Sequence, residues 1–285
     1  MSFAGNQARR QSAAATVEIL PAVTPLGRGV IYSRHDKLKI QRYKILVAYD
    51  GFDYAGWQIQ PGMKTIQEEL EKCFERLAGS PVKVHGSGRT DQGVHGTGQV
   101  IHVDLPSFLP VNKIMQAANA ILPPAIRILK VHKVAAGFHA RRDALSKEYR
   151  YFIWNGPVLP PSLCRYRMHI RMPLDVAAMQ KAADGLVGKH DFAAFTANPR
   201  RTVESTVRNL SLLEVRKRGK EVVIIARSEG FLYRMVRSLA GFLIRVGMGD
   251  LDASEAKKIL ERKERTAVVP TAPPQGLFLW KVFYR

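Results

Sequence analysis

Cysteine is almost missing from this chain: two in 285 residues, Cys73 and Cys164, with no CxxC pair. That usage excludes a disulfide framework and a cysteine-bound zinc, and it suits a reducing compartment. No apolar run reaches the length that a membrane span requires, so no membrane partner is expected. The first residues lack the apolar core of a secretion signal, which makes a cytoplasmic protein the expectation. Neither GxxxxGK[ST] nor GxGxxG spacing occurs, and the eight histidines include no HExxH or similar helical pair. Phosphate-loop chemistry and histidine-held metal are therefore not expected. Acidic residues are also scarce, 24 against 44 Lys and Arg, which leaves a net charge of +20.

A surplus of that size, carried by a chain with an ordinary 46% hydrophobic content, points to a folded protein whose partner is RNA or DNA. The length allows one large or two modest domains. Residues 1–40 read differently from the rest: Ala, Ser, Gln and Arg with little to pack, an expected disordered or extended lead-in. Arg9-Arg10 among Ser and Ala, with no acid before Glu18, is compatible with an organellar address as well as with a basic tail.

Hydrophobic periodicity then sets out a series of elements. Tyr43 to Tyr49 is a strand that closes on Asp50-Gly51. Thr65-Ile66-Gln67-Glu68 has the spacing of a capping box, followed by a helical face through Ile66, Leu70, Cys73, Phe74 and Leu77 to Gly79. A short strand at Lys83-Val84-His85 and another from Gln99 to Val103 flank a glycine-rich segment. Asn112 to Leu122 is an amphipathic helix stopped by Pro123-Pro124, and Ile126 to Val134 is a strand. This β-α-β-β-α-β order is that of a ferredoxin-like half. Further on come a strand from Leu145 to Trp154 and a helix through Val176, Met179, Ala183, Leu186 and Val187 to Gly188. A basic loop at Arg200-Arg201 precedes a hairpin of Thr206–Val215 and Glu221–Arg227. A long apolar helix starts at Phe231, and a last strand ends at Tyr284.

The segment Gly86-Ser87-Gly88-Arg89-Thr90-Asp91-Gln92-Gly93-Val94-His95-Gly96 concentrates the unusual chemistry. Four glycines in eleven residues make neither a stable helix nor a good strand, and they permit close approach by another molecule. Between them stand a cation, a hydroxyl, a carboxylate and an imidazole on a loop between strands. Taken alone, the pattern also fits a tight surface turn with a solvated ion pair.

The run GRTDQGVHGTGQV closely resembles the signature of the tRNA pseudouridine synthase A (TruA) family. Four further stretches share the likeness: YDGxxYxGWQ from Tyr49 to Gln58, FxAR…KxYxY from Phe138 to Tyr151, FLYxMVRxxxG from Phe231 to Gly241, and TAPPQGL from Thr271 to Leu277. The resemblance covers about residues 43–285. It implies an α+β pseudouridine synthase fold: two ferredoxin-like or RRM-like halves, residues 41–144 and 145–285, sharing a mixed, mainly antiparallel sheet with helices on one side and a catalytic cleft between them. It implies isomerisation of uridine to pseudouridine at nucleotides 38 to 40 of the tRNA anticodon stem-loop by a homodimer. That reaction oxidises nothing and adds nothing, so no cofactor is expected. Asp91 is the implied catalytic carboxylate and Arg237 its implied ion-pair partner. Tyr149 is expected against the target base. Arg89, a planar cation, is expected to fill the space left by an extruded base. The chain departs from the commonest motif at Ser87, Gln92 and Gly96, and Gln92 adjoins Asp91. A synthase acting on other RNA positions is one alternative, and a non-catalytic RNA-binding or RNA-folding protein on the same scaffold fits the charge and the aromatic strands equally well. The joint presence of Asp91, Arg89, Tyr149 and Arg237 is what separates a synthase from a binder.

Overall fold

The computed structural model describes residues 39–107, 110–197 and 204–285. The expected lead-in lies outside them up to residue 38, and so does the basic pair Arg200-Arg201.

Alternation builds the first half. In β1 (Ile40–Tyr49), Tyr43, Ile45, Val47 and Tyr49 are buried on one face, the period of two expected of a half-buried strand. β1 pairs antiparallel with β3 (His95–Pro106) on one side and with β4 (Ile126–Val134) on the other. β2 is only the two residues His85–Gly86, which pair antiparallel with β3. Over this sheet lie α1 (Ile66–Ala78) and α2 (Val111–Ile121), which contribute Ile66, Leu70, Phe74, Ile114 and Ala118 to one core with Tyr43, Ile45 and Val47. Each large apolar side chain buried in this way contributes about 1.5–3 kcal/mol.

The expected capping box does not form. The Thr65 hydroxyl is buried without a partner, and Glu68 turns outward to Lys72 at 2.7 Å. Tertiary structure supplies the acceptors instead. The amides of Ile66 and Gln67 donate to the carbonyls of Gly56 (3.2 Å) and Trp57 (3.0 Å), so the helix start is sewn to the YDGxxYxGWQ segment.

In the second half, β5 (Ser146–Asn155) pairs with β9 (Glu221–Ser228), which pairs with β8 (Val207–Arg218) and, beyond it, β7 (Gly188–Asp191). A short β6 (Met168–Ile170) runs parallel to β5. Helices α3 (Val176–Asp184), α4 (Met235–Gly247) and α5 (Glu255–Arg262) cover this part. Two helix boundaries differ from expectation. α3 stops at Asp184, since residues from Gly188 on pair with β8. α4 begins at Met235 rather than Phe231, because Arg234 takes a left-handed conformation. α5, amphipathic but short, was not expected.

The strand β10 (Leu277–Phe283) lies between β3, to which it is parallel, and β5, to which it is antiparallel. It joins the halves into one mixed sheet of order β4-β1-β3-β10-β5-β9-β8-β7. One cross-sheet row reads Tyr49, Gly96, Leu279, Tyr149, Ala226 and Leu213. Paired residues share a face. Tyr49 packs with α1 and α2, and Tyr149 with α3 and α4, so both sets of helices lie on that side.

Candidate active site

Asp91 is carried on the loop from β2 to β3, and the loop's shape is imposed from the YDGxxYxGWQ segment. The Trp57 amide donates to the Thr90 carbonyl at 3.0 Å, and the Gly93 amide donates to the Tyr54 carbonyl at 3.3 Å. Gly56, at φ +103°, permits this approach: a Cβ there would sit 2.8 Å from the Thr90 carbonyl oxygen. Tyr54 and Trp57 themselves are buried, so their rings pack rather than stack on RNA. Thr90 adds a side-chain anchor, its hydroxyl 3.0 Å from that of Tyr49. What remains exposed of the loop is the chemistry. The Asp91 side chain is 23% accessible, and Arg89 is exposed.

The second wall comes from α4 and the segment before β10. Arg237 Nη1 donates to Asp91 Oδ2 at 3.1 Å while its Nε donates to the Ala272 carbonyl at 2.8 Å. The Ala272 amide returns a bond to the Arg237 carbonyl at 3.0 Å. One guanidinium thus ties the TAPPQG segment to the carboxylate, a task suited to a rigid fork of donors. Its side chain is only 10% accessible, and a cation so buried in an apolar helix is tolerable because both its acceptors are present. A second guanidinium, Arg234, places Nε 3.8 Å from the same Asp91 oxygen. Phe52, Asp91, Gln92, Arg234, Arg237 and Gln275 bound a cavity of about 280 Å³. A larger hollow of about 460 Å³ beside α1 is lined by Glu69, Lys72, Cys73 and Arg76 and holds no comparable ion pair.

Tyr149 is buried, its ring edge-on to Phe231 at 5.2 Å. Burial pushes its hydroxyl above the ordinary tyrosine range, and the nearby Tyr49 and the charge of Asp91 add to the shift. It is therefore a neutral phenol within the field of the carboxylate. Asp91 and Arg237 line the cavity and Tyr149 lies within the field of Asp91, whereas Arg89 is exposed, and neither Tyr149 nor Arg89 is among the lining residues.

A family model described as tRNA pseudouridine synthase matches residues 45–142 and 182–285. Proteins named tRNA pseudouridine synthase A are similar over most of the chain. That of Brevibacillus brevis is 46% identical over 86% of this chain and all of its own length. That of Rhodospirillum rubrum is 43% identical over 85% of this chain and 87% of its own. That of Methylacidiphilum infernorum is 39% identical over 87% and 97%. The chain belongs to the tRNA pseudouridine synthase family.

Within this synthase fold His95 does more than shape the loop. It is fully buried, stacked on Phe278 at 4.6 Å. Its Nδ1 accepts from the Gly51 amide (3.2 Å) and its Nε2 donates to the Arg165 carbonyl (2.9 Å). Asp50 lies 3.0 Å from the same Nδ1 and would favour imidazolium, but desolvation outweighs it and lowers the His95 pKa. The neutral ring fits better, since Asp50 already accepts from Tyr166 (2.8 Å) and the Phe52 amide (3.0 Å). Arg165 also pairs with Asp53 at 2.9 Å, so residues 165–166 clasp the turn that braces the Asp91 loop.

Three histidines, His85, His102 and His139, bring ring nitrogens within 4.8 Å of one another, a grouping that sequence spacing hides. Their hydrogen bonds argue against a metal. Nδ1 of His102 accepts from the Ala140 amide, and Nδ1 of His139 accepts from those of Arg141 and Arg142. Each neutral ring then carries its proton on Nε2 and has no lone pair left to ligate. Sequence reading also passed over Arg234. Its signal was a second Arg three residues before Arg237 in FLYRMVR.

Proposed function

We propose that this chain isomerises uridine to pseudouridine in the anticodon stem-loop of tRNA, at nucleotides 38 to 40, with Asp91 as the catalytic carboxylate. The observation that carries the reading is the Asp91–Arg237 pair at 3.1 Å, set in a cavity that Arg234, Gln92 and Gln275 line together with Phe52 and Pro274, in a chain whose relatives are named for this reaction. In the reaction the N1–C1′ bond breaks, the freed uracil turns, C5 bonds to C1′, the proton on C5 leaves to solvent, and N1 takes up a proton from solvent, so the composition is unchanged. A carboxylate serves as nucleophile or as stabiliser of positive charge at the sugar carbon. Arg237 holds Asp91 in place and faces its charge when a base closes over it and strips its water. Tyr149 packs against the uracil. Arg89, exposed beside Asp91, enters the space vacated by the flipped base. On this reading residues 41–144 supply the carboxylate, residues 145–285 its partner, and the cleft lies between the two halves. The enzyme works in the cytoplasm as a homodimer.

Tritium release from tRNA labelled at uridine C5, without added metal or cofactor, tests this. Asp91→Asn is expected to bind tRNA as wild type does and to release no tritium. Release by the variant would remove Asp91 from the chemistry. Tight binding by both proteins with release from no tRNA of a panel would favour the RNA-binding reading.

A further inference from the structure

Charge around Asp91 is unevenly matched. One carboxylate faces two guanidiniums, and a third, Arg265, stands behind them, bonded to Ser238 (2.9 Å) and Thr271 (2.8 Å). Arg237 is held in place by hydrogen bonds to Asp91 and the Ala272 carbonyl. Arg234 is not. Its Nε lies 3.8 Å from Asp91, too far for a hydrogen bond, and 39% of its side chain is accessible. The guanidinium rests 4.8 Å from the centroid of the Tyr233 ring, a face that orients a cation without consuming its donors.

The backbone at Arg234 carries a second observation. Its φ of 55° and ψ of 16° are left-handed, a conformation costly for residues with a Cβ and rarely adopted outside Gly, Asn and Asp. Only Arg234 and Lys263 have it among the described non-glycine residues. Lys263 follows α5, where a left-handed residue ends a helix in the ordinary way. Arg234 precedes a helix, where no such need exists, and its side chain gives no cap bond. Strain retained at a site wall is a mark of function.

We propose that Arg234 is a substrate-positioning residue that grips a phosphodiester of the tRNA backbone beside the target uridine, leaving Asp91 to Arg237. The inference rests on the synthase reading above. A guanidinium matches two phosphate oxygens through parallel N–H bonds. The cavity offers no second carboxylate to take that role, while the nucleotide entering it brings phosphates on both sides. The other role for Arg234 is as a second counterion to Asp91, and the two roles separate kinetically.

Arg234→Gly and Arg234→Asn both suit a left-handed backbone and remove the cation. Tritium release, direct tRNA binding and thermal unfolding would be followed for both variants and wild type. The expected result is a KM and a Kd raised about tenfold, with kcat within about twofold of wild type and an unshifted pH profile. The log–log salt dependence of Kd becomes shallower by about 0.7–0.9, the share of one phosphate contact. Tm stays level or rises, since strain has been relieved. Unchanged KM and Kd would overturn the proposal. So would a fall in kcat with a displaced pH profile, which marks a counterion to Asp91, or a fall in Tm for both variants, which marks a structural residue. The binding arm stands apart from the synthase reading: if wild type binds tRNA yet releases no tritium, equal Kd values still sink the Arg234 proposal and a tenfold loss still supports it.

Discussion

His102 shows how a buried titratable group is held and what that costs. It is 3% accessible, accepts the Ala140 amide on Nδ1, and has the rings of His85 and His139 close by, each at 4.7 Å. Desolvation above all, with the charges of His85, Arg42 and His139 against the weaker pull of Asp104, lowers its pKa to about 4. An unfolded histidine protonates near 6.5. The folded value is the lower one, so stability is complete above about pH 6.5 and is lost as pH falls towards 4. Between pH 7 and pH 5 the loss from this group is about 2 kcal/mol. Urea unfolding at both values should show His102→Asn, which keeps an acceptor for Ala140, losing less than wild type by about that amount; equal losses would mean that His102 is protonated in the fold. Legibility at this scale was mixed. Asp91 and Arg237 stand 146 positions apart, yet each sits in a recognisable run. The left-handed Arg234 leaves no trace in residue type, because nothing in FLYRMVR marks a φ.

Elements were readable where their stability is local. β4 spans the expected residues, and α2 lies within one residue of expectation. The misread features are those that tertiary contacts decide. α1 has a Thr and a Glu at capping positions, but the carbonyls of Gly56 and Trp57 reach its first amides before side chains can. A capping threonine replaced by a residue without a hydroxyl costs about 0.5–2 kcal/mol. Here the reverse is expected. Thr65→Val removes a buried hydroxyl that has no partner and fills the same volume, so stability should rise by about 1 kcal/mol. Chemical denaturation measures it, and a loss of that size would restore the cap. Similarly, β7 takes its strand form from β8 rather than from its own Gly-Lys-His-Asp sequence.

Across the whole molecule, the surplus of 20 positive charges makes a quantitative demand on RNA binding. Each phosphate neutralised adds about −0.7 to −0.9 to the slope of log affinity against log salt, so an interface using six or more loses at least about three-hundredfold between 50 and 200 mM salt. Anisotropy titrations of labelled tRNA over that range should find such a loss; a slope shallower than about −2 would mean that most of the surplus lies off the interface. The order of strands has a different consequence, one in time. β10, produced by the ribosome after every other strand, occupies the middle of the sheet between β3 and β5. Until it arrives, β3 and β5 each present an open edge, and such edges recruit foreign strands. The TAPPQG segment that fixes Arg237 arrives with it. A nascent chain can therefore complete much of each core while lacking both its central seam and its assembled site, and premature termination just before Thr271 would yield two sticky half-sheets rather than a weakened enzyme.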